Sequence, residues 1–152
     1  MAIKSFKRYE KKFLLTNQQY DALIPKLLDY MEPDHHCLDG KNYSIYNIYY
    51  DTIHSDVIRH SISKPYYKEK LRLRSYKIPK KPTDKVFLEL KKKINGIVNK
   101  RRVILTLEEA RDFVEQGIRP ETCDYMSEQV INEIAYYLSH ESVKPSVYIG
   151  YT

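Results

Sequence analysis

The sequence predicts an α+β protein in which antiparallel strands, flanked by helices, curl into a barrel with a polar lumen. Three observations lead there. Several segments alternate charged and apolar residues; the clearest has Lys68, Lys70, Arg72, Arg74 and Tyr76 on one parity and Tyr67, Leu71 and Leu73 on the other. Side chains on a strand point alternately to opposite faces, so such a segment has one cationic and one apolar face. Other segments repeat apolar residues at helical spacing, and those helices need the apolar faces of the strands. The cationic faces must then turn away from the helices and toward each other, which a sheet closing round a polar lumen allows. Third, charge is concentrated. From Lys64 to Arg102, fifteen Lys and Arg face three acids (Glu69, Asp84 and Glu89), a local net charge of +12 in a chain that is +6 overall. Charge gathered in this way speaks to partners more than to folding.

At 152 residues and 42% hydrophobic, the chain is expected to be one domain, 1–152, with enough apolar material for a core. Fifteen Tyr, no Trp and four Gly fit strands with amphipathic rims and not a disordered basic tail. Cys37 and Cys123 follow no metal-ligand spacing and read as reduced thiols. Neither a transmembrane run nor a signal-peptide core is present, so cytoplasmic location and no membrane segment are the expectation.

The elements follow in order. Ser5–Leu15 alternates, with Arg8, Glu10 and Lys12 on one parity and Tyr9, Phe13 and Leu15 on the other, and reads as a strand. Thr16 caps a helix carrying Leu23, Ile24, Leu27, Leu28 and Met31, which Pro25 kinks or divides. Residues 32–41 form a loop. Tyr43–Tyr50, rich in β-branched and aromatic residues, is a strand, and a short helix runs to about Ile62. After the basic strand, Lys85–Lys93 places Val86, Leu88 and Leu90 opposite Phe87, Glu89, Lys91 and Lys93. Asn95-Gly96 is the preferred dipeptide of a type I′ turn. The return strand, Ile97–Leu105, puts Lys100 and Arg102 on one parity and Arg101 on the other. Thr106-Leu-Glu-Glu109 is a capping box, and Gly117 stops its helix. A further helix spans about Cys123–Leu138 with Val130, Ile131, Ile134 and Tyr137 inward, and a last strand begins at Ser146.

So many cations around one lumen repel unless a counter-anion enters. Phosphate is the natural guest, since arginine forks pair with its oxygens bidentately and lysine supplies point charge. Glu10 and Glu89 share those faces; a nucleic-acid surface has little use for carboxylates, whereas a metal–phosphate site uses them as oxygen ligands. The Asp34-His35-His36-Cys37 group reads as an ordinary polar loop. Tyr43, Tyr46, Tyr49 and Tyr50 read as packing beneath helices and not as base-stacking platforms. Glycine-rich phosphate loops, nucleophile elbows and Cys/His catalytic spacings are absent from the sequence.

Four ordered motifs, FKRYEKKFLL (6–15), YNIYYDT (46–52), KPYYKEKLRLRSY (64–76) and VFLELKKKINGIVNKRRV (86–103), give the chain a resemblance to the VTC domain. This is the polyphosphate-polymerase branch of the CYTH-like triphosphate tunnel metalloenzymes. The resemblance implies an antiparallel barrel forming a basic tunnel that binds ATP, another triphosphate or polyphosphate. It also implies transfer of the ATP γ-phosphate to a polyphosphate chain with divalent metal, Mn²⁺ or Mg²⁺. Carried to matching positions, Arg8, Lys12, Lys70, Arg72, Arg74, Lys91, Lys93, Lys100 and Arg102 would bind substrate. Arg72, Arg74 and Lys91 would serve catalysis, and Glu10 and Glu89 would bind metal. The first strand reads R-x-E-x-K where many tunnel phosphatases have E-x-E-x-K, as the polymerase branch implies. Family members continue beyond a strand like KPSVYIGYT with an arginine, further strands and an acidic ligand. The expectation is therefore an incomplete tunnel, impaired catalysis and association through exposed strand edges. An inorganic triphosphatase of the same fold, or a basic nucleic-acid-binding module making backbone contacts, are the alternatives.

Overall fold

The computed structural model describes residues 12–33, 37 and 42–152. They group into two compact units, residues 44–151 and the segment before them. In that earlier segment α1 spans Asn17–Leu28. Thr16 Oγ1 accepts from the Gln19 amide at 3.2 Å and Gln19 Oε1 accepts from the Thr16 amide at 2.9 Å, a reciprocal capping box. Pro25 lies within the helix without dividing it. It forfeits one backbone bond in the last turn, where little helix remains to be lost. Met31 falls beyond the helix end, and α1 buries no residue completely. The strand expected over Ser5–Leu15 is not borne out where it can be judged. Its residues 12–15 are irregular and exposed, and 5–11 lie outside the described residues.

The larger unit is a five-stranded antiparallel sheet with three helices. Its elements run β1 (Ile45–Asp51), α2 (Asp56–Ile62), β2 (Tyr67–Ser75), β3 (Lys85–Ile94), β4 (Ile97–Thr106), α3 (Leu107–Gln116), α4 (Tyr125–His140) and β5 (Lys144–Tyr151). The spatial order is β4-β3-β2-β1-β5, so β4 and β5 lie at opposite edges. The described strands thus make an open sheet and not the closed barrel that the sequence suggested. Closing a sheet round a filled interior takes about eight strands, and five are described.

Local chemistry sets these elements. Asn95 (φ 45°) and Gly96 (φ 82°) both take positive φ, the type I′ geometry that joins β3 to β4 without splaying them. Thr106 and Glu109 cap α3 reciprocally, and Gly117 at φ 73° ends it. On one sheet face Leu71, Leu73, Val86, Leu88, Leu90, Val103 and Leu105 are buried with Ala110 and Phe113 of α3 and Val130, Ile131, Ile134 and Tyr137 of α4. Glu133 pins α4 to this face, taking Lys92 Nζ at 3.0 Å and Arg101 Nε at 3.1 Å. Glu133 thus gives Lys92 and Arg101, two cations on the helix side of the sheet, an acidic partner.

Candidate functional site

The register of the sheet builds rows on the face away from α3 and α4. Arg72 of β2 lies opposite Tyr49 of β1 on one side and Glu89 of β3 on the other, and Glu89 lies opposite Arg102 of β4. One row along, Lys70, Lys91 and Lys100 stand in direct register across three strands. Lys68 is opposite Lys93 in the row after that, and Arg74 is opposite Asn47 on the other flank. Rows on one face repeat every two residues, about 7 Å apart, and strands are about 4.8 Å apart. The sheet therefore holds a grid of cations drawn from three strands.

Glu89 is fully buried and forms the centre of this grid. Its Oε2 accepts from Arg72 Nε at 2.9 Å and from Arg72 Nη2, and its Oε1 accepts from Arg102 Nε at 2.6 Å, with Arg102 Nη2 in ion-pair contact with the same oxygen. Lys100 Nζ stands 3.9 Å from Oε1. Burial alone pushes the Glu89 carboxyl up, but Arg72 and Arg102 outweigh it and hold the group below the usual carboxylate range. The converse holds for the arginines: burial opposes their charge, Glu89 more than restores it, and both rise above the ordinary guanidinium value.

Tyrosines complete the arginine shell. Arg72 Nη1 donates to Tyr49 Oη at 3.1 Å, Arg102 Nη2 to Tyr76 Oη at 3.3 Å, and Arg74 Nη2 to Tyr151 Oη at 3.2 Å. Arg74 Nε donates to Asn47 Oδ1 at 3.0 Å, and Asn47 Nδ2 donates to the Ile149 carbonyl at 3.4 Å. Arg102 also lies over the Phe87 ring, 4.5 Å from its centroid. The lysines differ from the arginines. Burial, then Lys68, lowers Lys70; burial lowers Lys100, Glu89 partly restores it, and Arg102, Arg74 and Arg72 press it down again. A cavity of about 370 Å³ opens over this face, with Lys70, Arg72 and Lys91 on one wall and Tyr49, Val147 and Ile149 on another.

Of the residues expected from sequence, the sheet brings Lys70, Arg72, Arg74, Glu89, Lys91, Lys93, Lys100 and Arg102 to one face. Lys12 is exposed and belongs to the other compact unit. Arg8 and Glu10 lie outside the described residues. Sequence reasoning missed Asn47, Tyr49, Tyr76 and Tyr151. Tyr49 had been assigned to the helix side, whereas it sits on the cationic face with its hydroxyl on Arg72. Parity in β1 carried the signal: Asn47 and Tyr49 alternate with Ile48 and Tyr50, and a polar Asn within an apolar strand marks the face with polar partners.

The metal expected of this fold meets a poor donor set here. An ionised carboxylate offers about four lone-pair positions, and the two guanidiniums take up both oxygens of Glu89, Oε2 by two N–H bonds and Oε1 by one bond and an ion-pair contact. Among the described residues, no group of three His, Cys, Asp or Glu side chains could hold an ion. The described residues do not fit a divalent cation bound by protein carboxylates.

Among solved structures, that of a candidate adenylate cyclase from Bacillus halodurans has a similar fold, with a TM-score of 0.54 at 16% sequence identity. The match covers 97% of this chain and 62% of that one, so the chain spans less than two thirds of the neighbour's length. No curated protein matches the sequence. No helix among the described residues is long and apolar enough to cross a membrane. The family model of the VTC domain matches residues 7–152, nearly the whole chain, and with the CYTH-like fold and the cationic face in place, the chain belongs to the VTC-domain family.

Proposed function

We propose that the cationic face binds the phosphates of ATP and of polyphosphate, and that the domain moves the γ-phosphoryl group of ATP onto a polyphosphate end. The observation that supports this is the placement of the row Lys70–Lys91–Lys100 in direct register beside the Arg72–Glu89–Arg102 row, whatever other partners these lysines hold. Like charges directly opposite one another destabilise a sheet, and a polyanion laid across the row converts that repulsion into attraction. In the transfer, the bond from the γ-phosphorus to its bridging oxygen breaks, a bond to a terminal oxygen of the chain forms, and ADP leaves. Little covalent chemistry falls to the protein, so positioning and charge stabilisation supply the rate. Arg72, Arg74 and Lys91 neutralise the transferring phosphoryl group; Lys70, Lys93, Lys100 and Arg102 hold the remaining phosphates. Mn²⁺ or Mg²⁺ is the proposed cofactor through family membership, and Glu10 its proposed ligand.

Arg74→Ala and Lys91→Ala test the reading without disturbing the arginines on Glu89. Charge-assisted hydrogen bonds contribute roughly 1.5–3 kcal/mol each, so either change should weaken polyphosphate binding about tenfold to a hundredfold. Affinity unchanged in both variants, or a preference for duplex DNA over polyphosphate of equal charge at fixed salt, would sink the proposal. A chain-length assay with ATP and Mn²⁺ addresses the reaction: growing polymer supports it, and release of phosphate alone marks a triphosphatase.

A further inference from the structure

We propose that Glu89 is a positioning residue, the buried counter-anion that fixes the Arg72 and Arg102 forks for an incoming polyphosphate, and not a metal ligand. The inference rests on the phosphate-binding reading of this face, and it departs from the role that family resemblance gives this carboxylate. Three observations carry it.

The first is donor arithmetic. Each guanidinium has five N–H groups. Arg72 directs Nε and Nη2 to Glu89 and one Nη1 hydrogen to Tyr49. Arg102 directs Nε to Glu89 and an Nη2 hydrogen to Tyr76, and its Nη2 also stands in ion-pair contact with Glu89. Each fork is thus gripped on the edge nearest its own stem and keeps at least two N–H groups for a ligand. On the carboxylate, both oxygens face guanidinium groups at contact distance, which leaves neither open to a metal.

The second is depth. The Glu89 side chain keeps 1% of its surface exposed, whereas those of Arg72 and Arg102 keep 14% and 16%. An anion approaching the face meets guanidinium groups with the carboxylate beneath them. The third is register. Arg72, Glu89 and Arg102 are directly opposite one another on three adjacent strands, so the carboxylate is centred between the two forks by the ladder itself. A grip of this kind removes rotamer freedom before the ligand arrives, and the ordering cost of two long side chains is no longer charged against binding.

Removing the negative charge would by itself tighten binding of any anion. A positioning role predicts the opposite sign, which makes the test decisive. Calorimetric titration of tripolyphosphate into the full chain, once in EDTA and once in Mn²⁺, yields two dissociation constants and their ratio. In Glu89→Gln the affinity in EDTA should fall about tenfold, because two arginines must be ordered anew. The Mn²⁺/EDTA ratio should stay that of the wild type. The effect of Glu89→Gln should also vanish in an Arg72→Lys/Arg102→Lys background, since Glu89 then has no fork to hold.

Equal or tighter binding by Glu89→Gln in EDTA overturns the inference. So does a Mn²⁺ enhancement that disappears in this variant, or an effect of Glu89→Gln that persists without the two arginines. Should Glu89→Gln fail to fold by circular dichroism, Glu89→Asp takes its place: the charge is kept, the reach is lost, and the same weakening with an intact ratio is expected. A wild-type chain that binds no tripolyphosphate in either buffer defeats the functional reading itself.

Discussion

Glu89 reads as a metal ligand in the sequence, and in the fold it lies between two arginine forks. Its position beside Lys91 made it legible as part of a charged strand face, but nothing in the spacing said that both oxygens would be taken by arginines from two neighbouring strands. That knowledge needs register, which sequence periodicity leaves open. The pairing has a consequence for pH. The Glu89 carboxyl is held below its usual value in the folded chain, so the stability it contributes is complete above the unfolded carboxylate pKa of about 4.3 and is lost as pH falls through the lowered folded value. Thermal melts from pH 7 down to pH 2 should show this loss in the wild type and a shallower acid slope in Glu89→Gln. Lys70 and Lys100 behave in the opposite sense. Both are lowered in the free protein, and an anion arriving beside them raises them again, so binding should take up protons at alkaline pH. Calorimetry in buffers of different ionisation enthalpy measures that uptake, and equal apparent enthalpies in all buffers would contradict it.

Helices and turns were the most readable features because their signals are local. Thr106 and Glu109, Asn95-Gly96, and the inward Val130, Ile131, Ile134 and Tyr137 all fall where short-range chemistry puts them. The alternation of β2 and β3 likewise assigned Leu71, Leu73, Leu88 and Leu90 to the buried face. Less was legible where two long-range partners compete for one residue. Arg101 and Arg102 are adjacent, yet one anchors α4 through Glu133 and the other grips Glu89. Tyr49 and Tyr50 divide in the same way, Tyr50 being buried with its hydroxyl pushed up to about 12, chiefly by burial. This division of labour separates stability from binding. Thr106→Ala removes a capping bond on the helix side and should cost about 1 kcal/mol of stability, with polyphosphate affinity unchanged. A denaturant melt and a binding titration on the same sample check both halves.

At the scale of the whole sheet unit, charge on one face and oil on the other make binding sensitive to salt in a way that folding is not. The screening length falls from about 10 Å at 0.1 M salt to about 3 Å at 1 M, so polyphosphate affinity should drop steeply over that range while the apolar core keeps the sheet folded. Closure was the feature least legible in the sequence: alternating faces imply curvature, but the number of strands that share a sheet is not written in any one of them.

The pairing of β1 with β5 also sets an order of events. The β3–β4 hairpin closes over two residues, whereas Asn47 meets Ile149 only after about a hundred residues of intervening chain have been placed. Contacts so distant in sequence carry a large loop-closure entropy and tend to form late. Arg74 depends on both ends of that late contact, donating to Asn47 on β1 and Tyr151 on β5. The chain should therefore pass through a stage in which the hairpin and its helices are assembled but the arginine beside β1 has not been tied down. In stopped-flow kinetics, Gly96→Val should slow folding, since it strains a turn formed early, and Ile149→Ala should mainly quicken unfolding. On the proposed reading polyphosphate engages only the finished face, so it should slow unfolding and leave the folding rate alone, acting as a clasp fastened last.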